Sequence, residues 1–361
     1  MGHGFDGLGC GCGCASRRQV LALIGGAAAL TGALTSPASA AGPSPAMIDV
    51  HHHVVPPFWF DEVKEHISAQ GGGRIVPNWY GWSPEKALAK MDQTGVATAM
   101  LSISSPGVWF GDAKAAASLS RRSNEYMAEL VIKYPGRFGM FAAIPLPDRE
   151  TALAELDYAY DHLNADGVGL MTSYGDKWIG DPAFAAVLDG FNRRKAVVYV
   201  HPASPLCCTS LMPYVPPFLT EFIQDTNRAV LSLMYSGSLA RLTDTRFIFS
   251  HAGGGIPVLA GRIRELAPSV PALQAKTPHG VDYELRKLYY EVANSANRSA
   301  VAALTNEVPT SQILFGSDFP LVPLEVTAEG LPHVGLSKID LKRVQNQNAK
   351  RLFPRLQKAK G

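Results

Sequence analysis

The chain has 361 residues, 47% of them hydrophobic and 18% charged, with a formal net charge of +2. This is the composition of a soluble globular protein long enough to bury a large core, and one α/β barrel takes about 250 residues or more. So small a net charge, with no basic run interleaved with aromatics, argues against a nucleic-acid or polyanion partner.

The first 40 residues differ from the rest. Ser16-Arg17-Arg18-Gln19-Val20-Leu21 carries an arginine pair, residues 20–34 form an apolar stretch rich in Ala and Gly, and Ala38-Ser39-Ala40 has the small-x-small form of a cleavage site. That order is the order of a secretory signal, and the twin arginine points to the Tat route. The expected mature protein therefore begins after Ala40 and is exported to the periplasm. An uncleaved anchor is the alternative reading. The apolar run is too short and too Gly-rich to cross about 30 Å of hydrocarbon, so no stable membrane insertion is expected. Cys10, Cys12 and Cys14 would leave with the leader. Cys207 and Cys208 remain, and neighbouring cysteines rarely pair because the geometry is strained. Small, partly buried apolar positions are the commoner role for such thiols.

Residues 41–361 read as a single domain, with no repeat, charge block or long Ser/Pro linker between 46 and 355. Eight short apolar runs look like buried strands: 46–50, 98–104, 137–144, 167–172, 196–200, 246–250, 289–293 and 312–316. Segments with helical spacing lie between them. The segment 84–93 starts with Ser83 as N-cap and Pro84 at the first helical position, and 149–164, 181–195 and 218–242 follow the same pattern. Strands buried on both faces and alternating with helices predict a (β/α)8 barrel. A doubly wound open sheet is the rival, weakened because no Gly-rich fingerprint follows the first strand. Residues 54–82 form a long loop insertion after strand one, bearing Phe58, Trp59, Phe60, Trp79, Tyr80 and Trp82 around Gly71-Gly72-Gly73. It reads either as a lid or substrate wall or as a satellite core. Residues 267–285 make a second, polar excursion.

The chemistry concentrates at strand ends. In Ile48-Asp49-Val50-His51-His52-His53, alternate side chains point the same way, which places His51 and His53 together and His52 opposite. At the end of a first strand that side is the barrel mouth, where active sites on this fold lie. Two imidazoles need further ligands to close a metal site. His201 directly follows strand five, His251 directly follows strand six, and Asp318 follows strand eight within Gly316-Ser317-Asp318. One such histidine is easily a hydrogen-bonded core residue, but that reading would have to hold at every strand end together. His51, His53, His201 and Asp318 are therefore the expected metal ligands, with His251 and Asp318 as the proton-handling pair. His66, His162, His279 and His333 fall away from the strand ends and read as surface histidines.

These positions resemble the amidohydrolase superfamily. Ile48 to His53, His251-Ala252-Gly253-Gly254, Phe315-Gly316-Ser317-Asp318-Phe319-Pro320 and Asn348-Ala349-x-Arg351-Leu352-Phe353 are similar to its non-oxidative decarboxylase branch, which includes aminocarboxymuconate-semialdehyde decarboxylase. The resemblance runs from about residue 46 to 355. Trp82-Ser83-Pro84-Glu85, Asp166 to Leu170, Thr172 to Trp178 and His201-Pro202 resemble the 6-methylsalicylate decarboxylases of that branch most. The resemblance implies one divalent metal, because the bridging lysine that binuclear relatives carry after strand four has no counterpart before Lys177. The histidine form of the first motif implies zinc, with manganese as the alternative. It also implies a homo-oligomer, dimer or tetramer. Relatives that bind two carboxylates use an arginine just before the Trp-x-Pro-Glu stretch, where this chain has Asn78 and Trp79, with Arg74 the nearest arginine. A monocarboxylic aromatic acid fits better.

The expected reaction is release of carbon dioxide from a small ortho-hydroxybenzoate. The metal would hold carboxylate and hydroxyl, and Asp318 or His251 would supply the ring proton. Trp59, Trp79 and Trp82 are candidates to stack on the ring, and Arg74, Tyr174 and Lys177 are further candidates at the mouth. The alternative is metal-dependent hydrolysis of an ester, lactone or amide through an activated water, with His251 as base. A periplasmic binding protein is a third reading, and it leaves His251 without a role.

Overall fold

The computed structural model describes residues 46–70, 79–205, 207–208, 211–212 and 214–357. The leader read over residues 1–40, its three cysteines, the glycine triplet 71–73 and Arg74 lie outside the described residues. The strands are β1 (Met47–His53), β2 (Val96–Ser102), β3 (Phe138–Ala143), β4 (Gly167–Met171), β5 (Ser173–Tyr174), β6 (Lys177–Trp178), β7 (Val197–His201), β8 (Arg246–Phe249), β9 (Tyr289–Glu291) and β10 (Ile313–Leu314). Eight of them form one parallel sheet in the order β1-β2-β3-β4-β7-β8-β9-β10, while β5 and β6 make a small antiparallel hairpin. The sheet closes on itself after β10: the Val50 amide donates to the Phe315 carbonyl at 3.0 Å, and that of His53 to Phe319 at 2.7 Å. This is the (β/α)8 barrel that the sequence predicts, and all eight expected strands are present.

The strands form where they do because both faces bury apolar side chains. Ile48, Val50, Met100, Phe141, Tyr199 and Ile248 belong to one cluster that fills the barrel. A second, larger cluster packs the outer strand faces against the helices, among them α1 (Pro57–Gln70), α2 (Pro84–Thr94), α3 (Ala113–Lys133), α4 (Arg149–Asp161), α5 (Ala185–Arg193) and α6 (Glu221–Tyr235). Local signals set their ends. At α2 the Ser83 hydroxyl accepts from the Lys86 amide, Pro84 occupies the first turn, and Gly95 ends the helix at φ 77, the left-handed cap that glycine adopts without strain. Asp148 caps α4 in the same way, accepting from the Thr151 amide.

Two features differ from the simple sequence reading. The insertion after β1 is not chiefly loop, because residues 57–70 are the helix α1. Trp59 and Trp79 from this insertion are buried and stack at 5.4 Å, and the Trp59 indole donates to the Gly107 carbonyl at 2.9 Å. They join the large outer core between strands and helices, and so form neither a substrate wall nor a separate satellite core. The second feature is in β1, whose register against β2 shifts between Asp49 and His52. Ile48 and Val50 face the barrel interior, so strict alternation would send His52 inward. The irregularity resets the phase. His51 and His53 turn in, and His52 turns out to stack on Phe319 at 4.9 Å.

The β5–β6 hairpin leads directly onto α6 at Gly180, where an added Cβ would overlap the backbone of Ser232 and Leu233. Backbone cannot yield as a side chain can. Gly180→Ala should therefore destabilise the fold by about 1–3 kcal/mol, read as a lowered midpoint in thermal or urea unfolding against wild type.

Candidate metal centre

Four buried side chains converge at the mouth. His51 and His53 come from β1, His201 ends β7, and Asp318 follows β10. The Nε2 atoms of His51 and His53 lie 3.0 Å apart, and Asp318 Oδ1 lies 3.0 Å from each of them. One donor atom from each of His51, His53, His201 and Asp318 falls within 4.8 Å of all the others.

The outer ring nitrogens decide what the inner ones present. His201 Nδ1 lies 2.8 Å from the Pro202 carbonyl, which only accepts, so Nδ1 carries the hydrogen. His53 Nδ1 lies 3.3 Å from the Ser102 carbonyl, and His51 Nδ1 lies 2.8 Å from Glu291 Oε1. Each imidazole therefore turns a lone pair inward, and His201 Nε2 is buried without a hydrogen-bond partner. Three lone pairs and a carboxylate oxygen this close repel one another unless positive charge lies among them, either an ion or, with none bound, a proton on His51. The donor set fits a divalent ion, with outer partners that fix the ligand tautomers.

The electrostatics agree. With no ion bound, burial works against a charged His51, yet Asp318 and Glu291 on either side overcome it and raise its pKa to about 10. Burial, with His53 and His51 nearby, holds His201 well below the ordinary histidine range, and burial also lowers His53. Although burial opposes it, the charge of His51 and the neighbouring His251 keep the Asp318 carboxyl well below the usual carboxylate range. The cluster is built to hold positive charge.

Glu291, at the end of β9, is fully buried and holds His51 in place. Its Oε1 also accepts from the His251 amide at 2.8 Å, and Oε2 accepts from the Ala293 amide at 2.6 Å. Only a glycine fits at 316, because a Cβ there would overlap Glu291 Oε2 and press on His51. His251 stands apart from the four converging donors. Its Nε2 lies 3.5 Å from Asp318 Oδ2, and neither ring nitrogen has a hydrogen-bond partner. Asn294 donates to the same Oδ2 at 2.7 Å.

The remaining candidates are placed less centrally. Tyr174 is buried, its hydroxyl accepting from the Met171 amide at 3.0 Å, and burial pushes its phenol well up. Lys177 is half-exposed on the hairpin and pairs with Asp176 at 3.1 Å. Trp82 is half-buried against the outer core. Cys207 is exposed and Cys208 buried.

Sequence reasoning missed Glu291, Asp49, Asn294 and Asp225. Asp225 on α6 accepts from Ser173 Oγ at 2.9 Å and Trp178 Nε1 at 2.5 Å, and also from Thr172 Oγ1, which itself accepts from the Ala203 amide at 2.9 Å. It ties the hairpin to the segment that follows His201. A usable signal existed for Asp49 and Glu291: each is an acidic residue inside an otherwise apolar strand.

Comparison with known proteins agrees with this geometry. The 6-methylsalicylic acid decarboxylase of Aspergillus aculeatus is 35% identical over 332 residues, covering 86% of this chain and 97% of that protein. The 6-methylsalicylic acid decarboxylase of Penicillium expansum is 32% identical with the same coverage of each. The manganese-bound dihydroxybenzoic acid decarboxylase of a Polaromonas species, at 22% identity, shares the fold with a TM-score of 0.75 over 86% of this chain and 97% of that one. The amidohydrolase family model matches residues 48–355, almost the whole of the described barrel, and the chain belongs to that family.

Proposed function

We propose that the protein is a metal-dependent, non-oxidative decarboxylase of a small ortho-hydroxybenzoate of the 6-methylsalicylate kind. The observation that carries this reading is the set of inward-facing donors on His51, His53, His201 and Asp318, with the unpartnered His251 beside them, in a chain more than 30% identical to two 6-methylsalicylic acid decarboxylases. His51, His53, His201 and Asp318 would hold one divalent ion. Three imidazoles and a carboxylate favour zinc, with manganese the alternative. When bound, the ion supplies Lewis acidity and a template for the carboxylate and hydroxyl oxygens.

The bond from ring to carboxylate breaks, its electron pair stays on the ring carbon, and a proton takes the place of the departing carbon dioxide. Asp318 is held ionised and has no proton to give. His251 is the better donor: neither ring nitrogen is tied up in a hydrogen bond, and Nε2 lies 3.5 Å from Asp318 Oδ2 at the edge of the donor cluster. Glu291 keeps His51 and the backbone of His251 in mutual register. The twin-arginine leader and Ala38-Ser39-Ala40 support export to the periplasm, with a mature chain starting after Ala40. Exposed Leu211, Tyr214, Phe218 and Leu219 support a homo-oligomer, and among the described residues no helix is long and apolar enough to cross a membrane.

Carbon dioxide release from a panel of hydroxybenzoates, run beside ester and lactone substrates, tests the reaction. Release from 6-methylsalicylate is expected, and turnover of esters or lactones alone would overturn the reading. His251→Asn should retain the metal while kcat falls by about 10²–10⁴-fold. Metal analysis is expected to find no bound ion in His51→Ala. Glu291→Gln should weaken metal affinity by about 10–100-fold, measured by competition with a chelator.

The protonation state of His51 adds a pH dependence. Below its pKa of about 10 the ion-free site carries a proton that metal must displace, whereas His53 and His201 are lowered and already neutral. Metal binding at pH 7–8 should release about one proton per ion, so affinity rises with pH up to about 10. Calorimetry in buffers of different ionisation enthalpy reads this directly, and a proton count of zero would contradict it.

A further inference from the structure

The mouth of the barrel has two unlike halves. The donor atoms stand on β1, on β7 and after β10. In the arc between β1 and β7, the ends of β2, β3 and β4 line a cavity of about 20 Å³, formed by Ile103, Val108, Phe141, Ala143, Ile144 and Met171 with Gly107, Gly169 and Tyr174. Two links tie this cavity to the donor cluster. Phe141 stacks on Tyr199 at 5.2 Å, and Tyr199 packs against His51 at 5.3 Å. Ile103 follows Ser102, whose Oγ lies 3.2 Å from His53 Nδ1.

The cavity is small, and Tyr174 is the one polar side chain among those that line it. A water-sized group needs about 10–15 Å³ by this measure, so there is room for one methyl or little more. No charged side chain lines it, and the phenol oxygen of Tyr174 already accepts from the Met171 amide. A carboxylate placed here would lose its hydration with no cation to replace it. An alkyl group loses nothing.

We propose that this cavity seats a small alkyl substituent on the substrate's aromatic ring, and that Gly169, Ala143 and Met171 set the size it accepts. The identification of the ring as that of a hydroxybenzoate rests on the decarboxylase reading; the seat itself does not. Gly169 holds the space open because it has no side chain. A Cβ there would meet Phe141 Cβ at 3.6 Å and two carbonyl oxygens at 3.8 and 4.0 Å, ordinary contacts that leave the backbone undisturbed. Gly169→Ala therefore fills the seat without forcing the barrel apart, and Met171→Ala enlarges it.

The test compares 6-methylsalicylate, salicylate and 6-ethylsalicylate on the metal-loaded full chain, by calorimetric Kd and by carbon dioxide release. Wild type should favour the methyl compound over salicylate by about tenfold, the scale for one methyl in an apolar pocket. Gly169→Ala should remove that preference, bringing the affinities for the two acids to within about twofold of each other. Met171→Ala should shift the preference toward the ethyl compound, an opposite change that misfolding cannot produce. Equal wild-type affinity for methyl and unsubstituted acids would overturn the proposal. So would a Gly169→Ala protein that loses both acids in parallel, or a Met171→Ala protein with no gain for the ethyl compound. If no acid releases carbon dioxide but the binding preference exists and vanishes in Gly169→Ala, the decarboxylase reading falls and the seat stands.

Discussion

Three of the four converging donors belong to one seam, where the first strand meets the segment after the last, and a single buried carboxylate ties that seam together. Asp49 Oδ1 accepts from the amides of His51 and Ser317 at 3.1 and 3.0 Å. Its Oδ2 accepts from Ser317 Oγ at 2.6 Å and faces His52 Nδ1 at 3.0 Å. A buried carboxylate is tolerable only when its oxygens are satisfied in this way. Because the donors come from both sides of the seam, satisfying Asp49 also fixes the register of His51 against Asp318. The same contacts explain why His52 is turned outward: its ring is bound to Asp49 and stacked on Phe319. The phase change in β1 and the closure of the barrel are thus one arrangement.

Strain is concentrated around the donor cluster, on the turns that follow β8, β9 and β10. Among the described residues six non-glycine residues have positive φ, and His251, Ala252, Asn294 and Asp318 are four of them. Each left-handed residue costs on the order of 1–2 kcal/mol, which a fold accepts only where other contacts over-determine the backbone. Those contacts are present. The Asp318 amide donates to the His51 carbonyl at 2.8 Å, and the His251 amide donates to Glu291. Glu291 therefore has two effects at once: it sets the His51 tautomer by its charge and holds the strained turn at His251 by accepting its amide.

Much of this was legible in the sequence, for particular reasons. Each barrel strand was visible because both faces are apolar, and each donor because it directly follows a strand. The orientation of the histidine triplet came out as expected, but the alternation rule reached it only because a register shift cancels the phase set by Ile48 and Val50. The tryptophans show the limit of composition. Trp59 and Trp79 read equally well as a substrate wall, and what decides for core is that residues 57–70 form a helix, which presents Trp59 to Trp79 and to the Gly107 carbonyl. The outer partners could not be paired from sequence because Glu291 and His51 are 240 residues apart. Nor could the apolar seat, which exists through what Gly169 lacks.

The division of the mouth bears on why one donor set can serve two reaction classes. Inward lone pairs on His51, His53 and His201 suit hydrolysis as well as decarboxylation, since both need an ion and a nearby proton carrier. The difference must then come from what holds the rest of the substrate. A benzoate with ortho hydroxyl has its polar groups on one edge and hydrocarbon on the other, and the mouth is likewise divided: donors on β1, on β7 and after β10, and Phe141, Ala143 and Met171 in the arc between β1 and β7. An ester or amide carries polar atoms on both sides of the bond to be broken, and its second half would have to lie against Phe141 and Met171 without a hydrogen-bonding partner. Desolvating that half costs free energy that the apolar wall does not return. Selection between the two chemistries thus falls to β2, β3 and β4, strands that contribute none of the converging donors.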